Sequence, residues 1–60
     1  MYFVIRKSSN NQFYFVIKAD NHEVVATSET YYFKDSAIRT IESIKKGIST
    51  DSNVVDMTSD

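Results

Sequence analysis

Two runs of aromatic and β-branched residues, 2–7 and 12–19, flank the polar cluster Ser8-Ser9-Asn10-Asn11, and neither run contains glycine or proline. Residues of these types suit a pleated, half-buried surface, so both runs read as strands. Serine and asparagine side chains bond readily to their own backbone, and the cluster between the runs reads as a turn. A chain that opens this way is set up for a β-hairpin.

Alternation then sorts the side chains onto two faces. Phe3 and Ile5 share one face with Phe13, Phe15, Ile17 and Ala19, and this is the expected core face. The opposite set is Tyr2, Val4, Tyr14 and Val16, a candidate partner-binding face. Asp20-Asn21-His22 makes the next turn and residues 24–28 the third strand. A two-residue loop would set Val25 opposite Lys18, and a three-residue loop would set it opposite Ile17. The second buries more apolar area and is preferred. It asks His22 for a positive φ, which glycine adopts most readily.

Residues 35–46 carry the helical period. Ala37, Ile41, Ile44 and Ile48 fall on one stripe, widened by Ile38. Asp35 and Ser36 suit the N-terminal end as cap or first-turn residues, and Lys45 and Lys46 suit the C-terminal end. Gly47 can close the helix in a left-handed turn. Asp35–Arg39 and Glu42–Lys46 form the expected i,i+4 pairs. Residues 49–52 read as polar linker, 53–57 as a short last strand, and Thr58, Ser59 and Asp60 as a frayed tail. The order is β-β-β-α-β, an α+β fold with one helix on one face of an antiparallel sheet.

Size limits what this unit can do alone. A domain of 60 residues buries only about 60% of the surface its unfolded chain exposes. Disulfides, a metal or a partner chain usually make up the deficit. The chain has no cysteine and one histidine, so neither a metal nor any other cofactor is expected, and a second copy is the remaining route. The net charge of −1 is spread over interspersed signs and gives no broad pull toward nucleic acid or membrane. The longest apolar runs, 2–5 and 13–17, fall well short of the ~18 residues of a membrane span. The first residues lack the pattern of a secretory leader, and a cytoplasmic location is expected.

A wider pattern links the turns to the helix. Ala19-Asp20-Asn21-His22-Glu23-Val24-Val25 is followed by Ser28-Glu29-Thr30-Tyr31, by Lys34 and Ala37, and by Ile41-Glu42-Ser43-Ile44-Lys45-Lys46. This series resembles the YegP-like family, which typically reads Ala-x-Asn-Gly, Ser-Glu-Gly-Tyr, Lys-x-x-Ala and Gly-Ile-Glu-Ser-Val in the same order. The resemblance spans roughly residues 2–57. His22, Thr30 and Thr40 stand where that family usually has glycine, and Phe33 stands in place of a small polar residue, which shifts capping onto Asp35. The resemblance implies two copies of the unit in a single sheet with C-terminal strands exchanged, hence a homodimer for a one-copy chain. It implies no activity.

Each constellation of reactive residues also has a plain structural reading. His22 could act as a base or a metal ligand, but a site needs several ligands, and a lone turn histidine is ordinarily solvated. Ser28, Glu29 and His22 offer the types of a triad, yet they sit on one strand and its preceding turn, with no glycine-rich loop or nucleophile elbow. Glu29 and Tyr31 are better read as orienting the strand-to-helix junction, and Glu42 or Ser43 as making a hydrogen bond at the helix–sheet boundary. The face of Tyr2, Val4, Tyr14 and Val16 suits a dimer partner or another protein, or a lightly amphipathic surface left in water. It also suits base stacking, with Arg6, Lys7 and Lys18 at its margins. The sequence therefore predicts a homodimeric, non-enzymatic β-sheet interaction module, with a weak single-stranded nucleic-acid binder as the alternative.

Overall fold

The computed structural model describes residues 1–59, so the tail expectation that ends on Asp60 lies partly outside the described residues. Three strands and one helix follow in order: β1 (Tyr2–Lys7), β2 (Phe13–Lys18), β3 (Val24–Thr27) and α1 (Lys34–Gly47). The strands form one antiparallel sheet in the order β1-β2-β3, with β2 in the centre.

The hairpin forms as its sequence directs. In β1–β2, Phe3 faces Ile17, Ile5 faces Phe15, and Val4 faces Val16. The Ser8-Ser9-Asn10-Asn11 turn is closed by its own backbone: Ser8 N–H donates to Gln12 O (2.7 Å) and Asn11 N–H to Ser8 O (3.0 Å). The Ser8 hydroxyl also bonds the Asn10 side chain. Asn11 takes φ 66°, a left-handed conformation that asparagine tolerates better than most residues.

The core lies on the expected face. Phe15 (3% exposed), Ala37 and Ile41 form its centre, with Phe3, Phe13, Ile17, Tyr31 and Ile44 packed around them. The helix rests over β2. Phe3 meets Phe15 edge to face at 6.0 Å, and Tyr31 stacks on Phe15 at 6.3 Å with planes 9° apart. Ring pairs of this kind add about 0.5–1.5 kcal/mol beyond their area.

Five expectations need correction. His22 does take positive φ (71°), and Ala19 N–H donates to Glu23 O across a three-residue turn. Val25, however, is not opposite Ile17. The register runs Lys18 to Val24 and then Ile17 to Ala26, with a β-bulge that leaves Val25 as the extra residue. The expectation rested on buried apolar area, but the helix covers β2 and all four residues of β3 are exposed. Nothing there rewards Val25 for facing Ile17.

The second correction concerns the helix ends. Phe33 is the N-cap residue and its side chain makes no cap hydrogen bond, while Asp35 lies in the first turn as an acid beside the dipole and does not cap. Gly47 has no positive φ. The chain leaves the helix extended at Ile48, whose N–H still donates to Ile44 O, so no left-handed reversal is needed. Third, Glu42 pairs with Lys45 (3.6 Å) instead of Lys46, whereas Asp35–Arg39 forms as expected at 3.6 Å. Fourth, Glu42 and Ser43 are both exposed, away from the helix–sheet boundary.

The last strand is the largest difference. Residues 53–57 form no strand within the single chain, and the order of elements is β-β-β-α. A strand requires a neighbouring edge to accept its backbone bonds, and residues 48–59 lie exposed with no such edge beside them.

Candidate functional site

The candidate face lies on the side of the sheet away from α1. Cross-strand pairing places Tyr2 beside Lys18, Val4 beside Val16, and Arg6 beside Tyr14. The expected residues are thus brought together, but they are not equally open. Tyr2 is exposed, Val4 and Tyr14 are half-buried, and Val16 is only 6% exposed. Val16 sits on the central strand between Val4 and Thr27, so its neighbours close over it without a second layer. What remains is a shallow surface with an apolar centre and Arg6 and Lys18 at its margins.

His22 is more engaged than a solvated turn histidine. Its Nδ1 lies 2.7 Å from the Tyr2 hydroxyl, and the two rings meet edge to face at 6.0 Å. The Met1 ammonium donates to Asp20 Oδ1 at 2.7 Å and holds the Asp20 carboxyl below its ordinary range, through the hydrogen bond first and the charge second. These two contacts tie the start of β1 to the β2–β3 turn. The sequence carried a hint of this: hairpin register brings Tyr2 level with Lys18, one residue from the turn.

The triad types are dispersed into structural work. Ser28 Oγ accepts the Phe15 N–H at 2.9 Å and donates to Glu29 O at 2.7 Å, so its hydroxyl replaces a ladder bond. His22 is committed to Tyr2. Tyr31 does orient the strand-to-helix junction: Phe13 N–H donates to Tyr31 O (2.8 Å), Tyr31 N–H donates to Phe13 O (2.6 Å), and the ring stacks on Phe15. Glu29 is exposed. Among the described residues no group of three His, Cys, Asp or Glu side chains could hold a metal ion, and no pocket is present. Among the described residues no helix is long and apolar enough to cross a membrane.

Apolar exposure that the sequence did not forecast lies at Tyr32 and Phe33. Both rings are exposed just ahead of α1 and meet edge to face at 5.0 Å. On the other side of the sheet's centre, Lys7 Nζ stands 5.5 Å from the Phe13 ring.

Residues 8–55 match the pattern of the domain of unknown function DUF1508. The chain belongs to this family. Among curated relatives, it is 50% identical over 44 residues to a UPF0339 protein of Shewanella oneidensis and to UPF0339 protein YegP of Escherichia coli. In both cases the match covers 73% of this chain and 40% of the relative. A UPF0339 protein of Treponema denticola is 43% identical over 44 residues, covering 73% of this chain and 76% of the relative. The YegP-like resemblance is thereby shown. This DUF1508 unit spans two-fifths of the length of its longer relatives and three-quarters of the shorter one.

Proposed function

We propose that this DUF1508 chain is a non-enzymatic, homodimeric interaction module in which residues 53–57 of each copy complete the sheet of the other. One observation carries the reading. Val54, Val55 and Met57 are 94%, 77% and 89% exposed, in a chain whose three-stranded sheet has an open edge on each side. Isolated apolar residues on a surface are ordinary, but a strand-type segment left unpaired in a chain whose sheet has open edges invites pairing with another chain. The small covered core points the same way, since a unit of this size gains from a second copy. A longer relative matched over 40% of its length has room for a second unit of this kind. The cysteine-free chain suits a reducing compartment, and we place it in the cytoplasm.

Light scattering after size exclusion tests the reading. At micromolar concentration the chain is expected to show twice its mass of 6.9 kDa. A clean monomer with concentration-independent unfolding overturns it.

A second reading, a weak single-stranded nucleic-acid platform, draws on Arg6 beside Tyr14 and Lys18 beside Tyr2. It has less to work with. Val16 is buried, the Tyr2 hydroxyl is committed to His22, and the net charge is −1. Salt separates the two readings: phosphate contacts weaken steeply as salt rises, and apolar pairing does not.

A further inference from the structure

We infer that the sheet face away from α1 docks an acidic segment of another protein, two of whose carboxylates meet Arg6 and Lys18 while an aliphatic side chain between them lies over the Val4–Val16 pair. The whole face belongs to one chain, so the inference goes beyond the homodimer reading and does not depend on it.

The face is built from a repeat. Tyr2-Phe3-Val4-Ile5-Arg6 in β1 returns as Tyr14-Phe15-Val16-Ile17-Lys18 in β2, with one cation exchanged for another. Alternation sends the phenylalanine and isoleucine of each repeat toward α1 and leaves its tyrosine, valine and cation on the far side. The register sets Tyr2 beside Lys18, Val4 beside Val16 and Arg6 beside Tyr14. A two-fold axis between the valines therefore carries Arg6 onto Lys18 and Tyr2 onto Tyr14. The result is a strip with a valine centre and one cation at each end, the two cations lying about 13 Å apart along the strands.

Charge decides what such a strip can hold. The chain carries a net −1, yet none of the three strands contains an acidic residue. Asp20, two residues beyond Lys18, is taken by the Met1 ammonium at 2.7 Å. The other ion pairs among the described residues lie on α1, and neither Arg6 nor Lys18 enters one. Two cations without a counter-charge, at a set separation on an otherwise uncharged face, are complementary to two carboxylates. The Arg6 fork can grip a carboxylate with two bonds, and Lys18 meets one as a point charge. A second copy laid on this face would gather four cations and no carboxylate. A nucleic-acid strand would find two cations instead of a continuous track, an aliphatic centre, and a Tyr2 ring already set against His22.

The test is an NMR titration of the full chain with the end-blocked peptide Glu-Thr-Val-Thr-Glu, whose extended form puts both glutamates and the valine on one side, the glutamates about 13 Å apart. Saturating amide shifts are expected at Tyr2, Val4, Arg6, Tyr14, Val16 and Lys18. The Gln-Thr-Val-Thr-Gln peptide should bind about fivefold more weakly, since exposed ion pairs each contribute little. No saturating shifts, equal binding of the two peptides, or shifts centred on α1 overturn the inference. Tighter binding of a thymidine pentanucleotide overturns it in favour of nucleic acid. Dilution without peptide that moves these six amides, but not those of residues 53–57, overturns it in favour of a second copy. Reversing both charges, Arg6→Glu with Lys18→Glu, should abolish binding of the glutamate peptide and create binding of Lys-Thr-Val-Thr-Lys. A folded double variant that keeps the original preference also overturns the inference. If that variant does not fold, Arg6→Gln and Lys18→Gln singly decide: each should weaken the glutamate peptide about twofold, and no weakening by either overturns it.

Discussion

Phe15 and Val55 both belong to alternating, strand-type segments, yet one is 3% exposed and the other 77%. Phe15 has β1 and β3 on its flanks, α1 above and Tyr31 against its ring. Val55 has none of these within its own chain. The difference teaches that alternation specifies a strand only where a neighbouring edge and a covering layer are supplied. The central strand finds both locally, and the C-terminal segment does not.

The comparison breaks most severely if the C-terminal segment proves irrelevant. Removing residues 52–60 is expected to leave an unfolded or aggregating chain, with collapsed dispersion in its NMR spectrum, because an uncovered edge and a small core remain. Adding a peptide of that segment should restore part of the dispersion. A stable, well-dispersed truncated monomer would show that the tail contributes nothing to folding.

At the packed end, Phe15→Ala should cost about 3–5 kcal/mol in denaturant unfolding, the range for a large aromatic removed from a core. Val55→Ala sharpens the contrast. It should be close to silent if Val55 stays in solvent, and should cost about 1–2 kcal/mol at fixed protein concentration if the side chain is covered in a dimer. A concentration-dependent midpoint accompanies the second outcome.

A smaller effect is expected at the β2–β3 turn, where two terms oppose each other. His22→Gly relieves a left-handed residue of a strain of roughly 1 kcal/mol and removes a hydrogen bond to Tyr2 worth about 0.5–1.5 kcal/mol. The net change should stay within about 0.5 kcal/mol. Tyr2→Phe removes only the bond and should be the more destabilising of the two, as equilibrium unfolding can check.

The least effect belongs to Asp20. Its carboxyl is held below the ordinary range by the Met1 ammonium. A depressed carboxylate contributes stability that is fully present above its unfolded pKa and is lost as pH falls through the folded one. The ion pair is exposed on both sides, so the loss should be slight and should shrink further in high salt. Asp20→Asn is expected to flatten that acid limb while leaving neutral-pH stability nearly unchanged.

The hairpin, the turn conformation at His22 and the helix were legible because each depends on neighbours in sequence. The β1–β2 loop is closed by its own residues, and Ala37, Ile41 and Ile44 fall on one stripe whatever lies beneath them. The bulge at Val25 was not legible, because it depends on the helix covering β2 and stopping short of β3. The closure of Val16 was missed for a related reason. Counting covering layers predicts an open face, but a central-strand valine can be enclosed by flanking side chains alone. The Tyr2–His22 contact required the register and the turn together, and neither segment announces it alone. The Gly47 expectation followed a general preference that the extended exit at Ile48 did not need.

The bulge at Val25 also bears on how far such a chain can grow. A sheet whose two borders were equally straight would let every added copy expose a fresh border like the last, and stacking would continue without limit. Here one border is crooked, short and interrupted at Val25, so hydrogen bonding cannot propagate through it in register. In the proposed dimer the extra valine would act as a stop, biasing the sheet toward a finite particle and away from a fibre.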